Sequence, residues 1–156
     1  MAKLSDIIVS SLIIGVATAT QSFNNVVGKA REVEAKIIIS AVNMLQQPFL
    51  IENQRFASTL EELNLGIPSE TENYEYKVVA LDRTQAQVTA KAKQRGAKSY
   101  TGAIFILKNN MLSNSITVTV CETEHASQTP PGMPQAPQSS GHEIKCPSGS
   151  KQLGLR

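Results

Sequence analysis

Two cysteines, Cys121 and Cys146, and two histidines, His125 and His142, carry the widest chemical repertoire in this chain, and all four lie near its C-terminal end. A zinc site would draw on such residues. The cysteines lack the paired C-x-x-C spacing, however, and the two histidines alone would complete a tetrahedral set only by chance. A disulfide is the first reading. The segment between the cysteines, ETEHASQTPPGMPQAPQSSGHEIK, has no apolar periodicity and cannot hold itself in place by packing, so a cross-link has a clear physical role. Closing a loop of this size contributes roughly 3.5 kcal/mol in the chain-entropy account. Two free thiols are the alternative. A disulfide implies an oxidising compartment, and hence export.

The other reactive residue types form no catalytic pattern. No Ser or Cys has a base and an orienting acid at motif spacing. Gly96 and Gly102 are isolated, so no glycine-rich loop cradles a phosphate. Glu61 and Glu62 fall in a short predicted helix, Thr59 to Leu63, where Ser58 is the N-cap and Glu61 the capping-box acid. The expectation is a non-enzymatic protein with no catalytic residue, no cofactor and no metal. The densest basic group, Lys91, Lys93, Arg95 and Lys98, has no aromatic platform beside it. With a net charge of only +2 it reads as a solvated edge or turn, not a nucleic-acid surface. The Pro-rich stretch from Thr129 to Ser140 could dock outward in an extended polyproline conformation. The competing reading is a surface loop held by the disulfide, and its sequence names no ligand.

One charged residue stands out by position. Asp6 sits at the front of an apolar run, LSDIIVSSLIIGVATA. Lys3, Ile7 to Val16 and Ala17-Thr18-Ala19 could be read as a secretory signal, but Asp6 and the very short basic region argue against it. The polar interruptions at Ser5, Asp6, Ser10 and Ser11 make the run a marginal membrane span. The helical pattern also continues where a signal would end. Val26, Ala30, Val33, Ile37, Ala41 and Met44 recur at spacings of four, three, four, four and three, which is one face of an amphipathic helix. Glu32 and Lys36 form a favourable i,i+4 pair. The first true breaker is Pro48, so the helix is expected to end or kink near Gln46 or Gln47. A helix from Leu4 to Gln47 would be about 65 Å long, at roughly 1.5 Å per residue. That exceeds a small domain, so its apolar end must project and find lipid or other protein.

Beyond Gly66 and Pro68 the period changes to two. Tyr74 to Ala80, Ala86 to Ala92, Tyr100 to Leu107 and Ser115 to Cys121 read as four strands with short links. Turns are expected at Asp82-Arg83, Arg95-Gly96 and Asn109-Asn110. The fold class is therefore α+β: a long N-terminal helix packed on a four-stranded antiparallel sheet, followed by a disulfide-closed C-terminal loop. The chain divides into an apolar membrane or assembly half-helix, residues 1–23, and a globular head, residues 24–156. Within the head lie an amphipathic half-helix (24–54), the sheet (74–121) and a Pro-rich loop and tail (122–156).

These features resemble the type IV pilins and pseudopilins. Leu4-Ser5-Asp6-Ile7-Ile8-Val9 matches the start of the pilin N-terminus, and Gly15 falls nine residues after Asp6, as a glycine does after the family's glutamate. The segment AKIIISAVNMLQQPFLIENQRFASTLEELNLGIP is most similar to the cyanobacterial type IV pilin-like G and H proteins. The resemblance implies a pilin-like subunit that assembles by helix–helix packing with other pilin-like subunits. It would be held in the bacterial inner membrane before assembly and would reach the cell surface in a filament. Asp6 would neutralise a neighbour's free amino terminus, and Gly15 would match the family's small residue. Aspartate stands where the family has glutamate, and no proline occurs near Gln21-Ser22-Phe23. No basic leader or cleavage glycine precedes Met1-Ala2, so the expected role is a minor or divergent subunit. A membrane-anchored or exported binding module with a pilin-like head that does not assemble is the alternative.

Overall fold

The computed structural model describes residues 4–108, 114–139 and 141–154, with side chains from residue 26 onward. Helix α1 spans Leu4–Asn53 as 50 continuous residues, about 75 Å at roughly 1.5 Å per residue. It runs through Pro48 instead of ending before it. Proline removes the N–H that would bond the Met44 carbonyl. Met44 and Pro48 are both exposed, so water can replace that donor. The turn is also anchored from its other side. The buried Gln46 side chain donates to the Ala57 carbonyl at 3.0 Å and accepts the Ala57 N–H at 2.9 Å. The helix stops at Gln54, which takes a left-handed φ of 55° and donates its N–H to the Leu50 carbonyl.

The short helix that follows is a single 3₁₀ turn, Glu61–Leu63. Its N-cap is Leu60, which has no side-chain capping bond, two positions beyond the Ser58 that the sequence suggests. Thr59 Oγ1 accepts the Glu62 N–H, and the Glu62 carboxylate accepts the Ser58 N–H and binds Arg55. These bonds, the one to Arg55 foremost, hold the Glu62 carboxyl down at about 2.

The sheet is antiparallel with five strands in the order β1-β2-β3-β4-β5. They are β1 Tyr74–Ala80, β2 Gln85–Ala92, β3 Tyr100–Lys108, β4 Asn114–Thr123 and β5 Ser150–Gln152. The first four follow the alternation in the sequence. The Asn109-Asn110 turn lies outside the described residues. The fifth strand corrects the four-stranded expectation. It has three polar residues and no apolar alternation, and its place comes from the disulfide, which returns the tail to β4, where Cys121 pairs with Gln152.

The two faces of the sheet are covered differently. Tyr74, Tyr76, Val78, Val88, Tyr100 and Val120 pack with Ala35, Ile38, Ile39 and Val42 of α1. Helix and sheet come close at Gly102. A Cβ there would lie 2.7 Å from Ile39 Cγ2 and 2.8 Å from Val88 Cγ1. On the opposite face, Ala103, Phe105 and Leu107 are covered by Ile144 and Met133 of the segment between the cysteines. Strand β3 is therefore buried on both sides, with only Ile106 half-buried and Lys108 exposed along its length.

Candidate assembly interface

Helix α1 carries two apolar faces, and the one picked out by spacing is not the one that covers the sheet. The face that covers the sheet is built from Gly28, Ala35, Ile38, Ile39, Val42 and Gln46, all buried. The apolar line that the spacing picks out points the other way. Val26 is 64% exposed, Val33 53%, Ile37 63% and Met44 69%, and Ile51 extends the line at 77%. At 100° per residue the two sets lie on opposite sides of the helix. The reason is close approach. Gly28 sits so near the β2–β3 turn that a Cβ would lie 2.9 Å from the Gly96 carbonyl oxygen. The small residues Gly28 and Ala35 let the backbones meet on this side, and the bulkier line is left outside. Gly96 itself has a φ of 87°, which suits glycine.

Polar contacts fix the helix about its own axis. The Glu34 carboxylate accepts Thr71 Oγ1 at 2.6 Å, Asn73 Nδ2 at 2.8 Å and the Tyr76 hydroxyl at 3.1 Å. Burial pushes this carboxyl up, but the three hydrogen bonds outweigh it and hold it below the usual range. On the other flank Lys36 reaches Glu122 of β4 at 3.8 Å. Glu122 is nearly buried and also meets Lys98 and Lys151, each at 3.4 Å. One carboxylate thus joins α1, the β2–β3 turn and β5. Lys36 also stands 5.7 Å from the Tyr100 ring centroid. Burial, with the charge of Glu32 added, raises the Tyr100 hydroxyl well above its ordinary value.

Cys121 and Cys146 are joined, with Cα atoms 5.7 Å apart. The strap they close is not an outward polyproline ligand. Pro131, Pro134 and Pro137 are buried, while Gly132, Gln135, Ala136 and Gln138 are exposed. This three-residue period matches polyproline II, which has three residues per turn. The proline edge faces inward, and Thr101 Oγ1 fastens it by donating to the Pro131 carbonyl at 2.6 Å. His125 and His142 are both exposed on this strap and are not brought together with the cysteines. His142 Nδ1 bonds Ser139 Oγ at 2.6 Å. Among the described residues no group of three or more His, Cys, Asp or Glu is placed to hold a metal. The basic residues Lys91, Lys93 and Lys98 pair with Glu75, Glu70 and Glu122. Asp6 and Gly15 fall in the part of α1 whose side chains lie outside the described residues. Among the described residues no helix is long and apolar enough to cross a membrane.

The outward direction of the apolar stripe, the Glu34 contacts and the inward proline edge are the features that sequence reasoning missed. The small-residue pair Gly28 and Ala35 was the available signal for the first.

No curated protein and no solved structure matches the chain. The family model for type IV pilin-like G and H proteins matches residues 32–147, from the second half of α1 through the sheet to just past Cys146. With most of its length matched, this chain belongs to the type IV pilin-like G and H family.

Proposed function

We propose that the protein is a non-enzymatic subunit, minor or divergent, of a type IV pilus-like or secretion-type filament. The observation that carries this reading is the length of α1. One helix of 50 residues serves a head whose sheet, among the described residues, packs on its second half. At about 75 Å the helix is far longer than that head needs. Its front, residues 1–23, carries the apolar run of the sequence and acts as the membrane and assembly half, while residues 24–156 form the head. In this reading the inner membrane holds the apolar half before assembly, and neighbouring helices take over from lipid in the fibre. Asp6 then needs a charged partner, because a carboxylate left alone among apolar helices is neutralised instead. The amino terminus of an adjacent subunit fits that need, and Gly15 allows a close helix contact. The head would lie in the periplasm or outside the cell, where the disulfide is stable.

The family match begins at residue 32 and leaves Asp6 and Gly15 outside it. That observation keeps a second reading in play: an anchored or exported head that binds partners without joining a fibre. Membrane fractionation combined with analysis of sheared surface filaments separates the two. A filament subunit appears in both fractions. A non-assembling module appears in the membrane or soluble periplasmic fraction and is missing from the filaments.

A further inference from the structure

We propose that the free edge of β4 pairs antiparallel with the same edge of a second copy of this chain, about a two-fold axis at Ile116. The inference goes beyond the filament reading and does not depend on it. Strand β5 covers only Cys121–Thr123 of the ten residues of β4. The Leu153 N–H then bonds the Val120 carbonyl, and among the described residues no bond returns from the Leu153 carbonyl to the Val120 N–H. The direction of the remaining groups follows by alternation. Thr123 donates inward to Ser99, while Glu124 donates outward to Gly149 and Val120 accepts from outside. Val118, Ile116 and Asn114 therefore turn their backbone N–H and C=O groups away from β3. Among the described residues no backbone group bonds them on that side.

The two edges of the sheet differ in how they resist strand addition. On β1, Tyr76 donates to the Ser69 carbonyl, Tyr74 accepts from the Thr71 N–H, and Glu75 and Lys77 are exposed charges. Such cover and charge keep an edge from pairing. On β4 the stretch from Asn114 to Cys121, NSITVTVC, has no charge and no proline, and five of its residues, Ile116 to Val120, are β-branched. Ile116 is left 36% exposed, and Ser115 Oγ is buried without a hydrogen-bond partner. The strand is also its own complement, which selects a second copy as the occupant. An axis at Ile116 sets Ile116 opposite Ile116 and Asn114 opposite Val118, so outward residues meet outward residues and each such pair exchanges two backbone bonds. Ser115 falls opposite Thr117, a cross-strand hydroxyl pair that occurs twice by symmetry. No like charges meet across the axis. Both copies use the same edge, so the contact closes as a pair.

The test is oxidative cross-linking of the full-length protein in its membrane, with the single substitution Ile116→Cys. Val79→Cys, half-buried on the opposite edge of the sheet, is the control. Residues opposed in a hydrogen-bonded antiparallel pair have Cα atoms about 5.5 Å apart, within the range a disulfide spans. Ile116→Cys should therefore form a species of twice the chain mass, and Val79→Cys should not. Adding Val118→Pro removes an outward N–H that bonds nothing in its own sheet. Two intermolecular bonds are lost by symmetry, so pairing should weaken roughly tenfold or more. Asn114→Pro removes the same kind of bond at the exposed first residue of β4, where proline disturbs the fold least. Urea unfolding of both proline variants checks that the head stays folded. Cross-linking of Ile116→Cys no stronger than the control overturns the proposal. So does a product containing a different protein, or a cross-link that survives undiminished in both folded proline variants.

Discussion

Gly28 of α1 lies so close to Gly96 of the β2–β3 turn that its missing Cβ would stand 2.9 Å from the Gly96 carbonyl oxygen. This contact joins the helix to the head, and the obstacle is backbone that cannot swing aside. Gly28→Ala gains up to about 1 kcal/mol of helix propensity, yet the overpacking costs about 1–3 kcal/mol. Net destabilisation is expected in urea unfolding. Gly102→Ala should cost more, because its Cβ would meet Ile39, Val88 and Asn43 at once. Gly132→Ala, with 3.8 Å to its nearest neighbour, is the control that should change little.

The assignment of the two faces of α1 separates two isoleucines only two positions apart. Ile39 is fully buried and Ile37 is 63% exposed. Ile39→Ala should destabilise the fold by about 2–5 kcal/mol, and Ile37→Ala by no more than about 0.5 kcal/mol. Equal losses, measured by denaturant unfolding of the two variants, would contradict the placement of the helix.

The run Ile37-Ile38-Ile39 shows why spacing did not settle this matter. Three consecutive isoleucines belong to both apolar faces, so a period near 3.6 fits either one. The sheet was different. Tyr74, Tyr76 and Val78, or Ala86, Val88 and Ala90, alternate in only one way, and the four main strands could be read with bounds close to those observed. Strand β5 could not be read, because Ser150–Gln152 has no pattern of its own and is placed by a covalent bond 25 residues long in sequence separation. The passage of α1 through Pro48 was likewise hidden, since it depends on Gln46 reaching Ala57. For the candidate interface, the charged and small residues were visible, but which of them faced outward depended on the Gly28 contact.

The bonds to Glu34 give a pH dependence of known sign. Its folded-state pKa lies below the ordinary value of 4.5. The stabilisation is therefore fully present above that value and is lost as the pH falls through the depressed folded pKa. Glu34→Gln removes the charge, and its amide would face the Asn73 amide donor. It should cost about 1–2 kcal/mol at neutral pH. The difference between wild type and variant, followed by urea unfolding, should be constant from pH 7 to 5 and narrow at lower pH.

Reducing the Cys121–Cys146 bond should release the strap that covers Phe105. The expected loss is about 2–4 kcal/mol. Intact mass should rise by two hydrogens on reduction, and proteolysis between Glu124 and Lys145 should accelerate. Because Phe105 is only 1% exposed with the strap in place, binding of a hydrophobic dye should increase as well. Unchanged cleavage after complete reduction would show that packing of the prolines alone holds the strap.

Assembly through the front of α1 is tested most directly by Asp6→Ala in the full-length chain, measured as the amount of protein in sheared filaments relative to the membrane fraction. The account predicts unchanged membrane retention and a loss of filament incorporation, because the partner of a neighbour's amino terminus is gone. Wild-type incorporation of Asp6→Ala would contradict it.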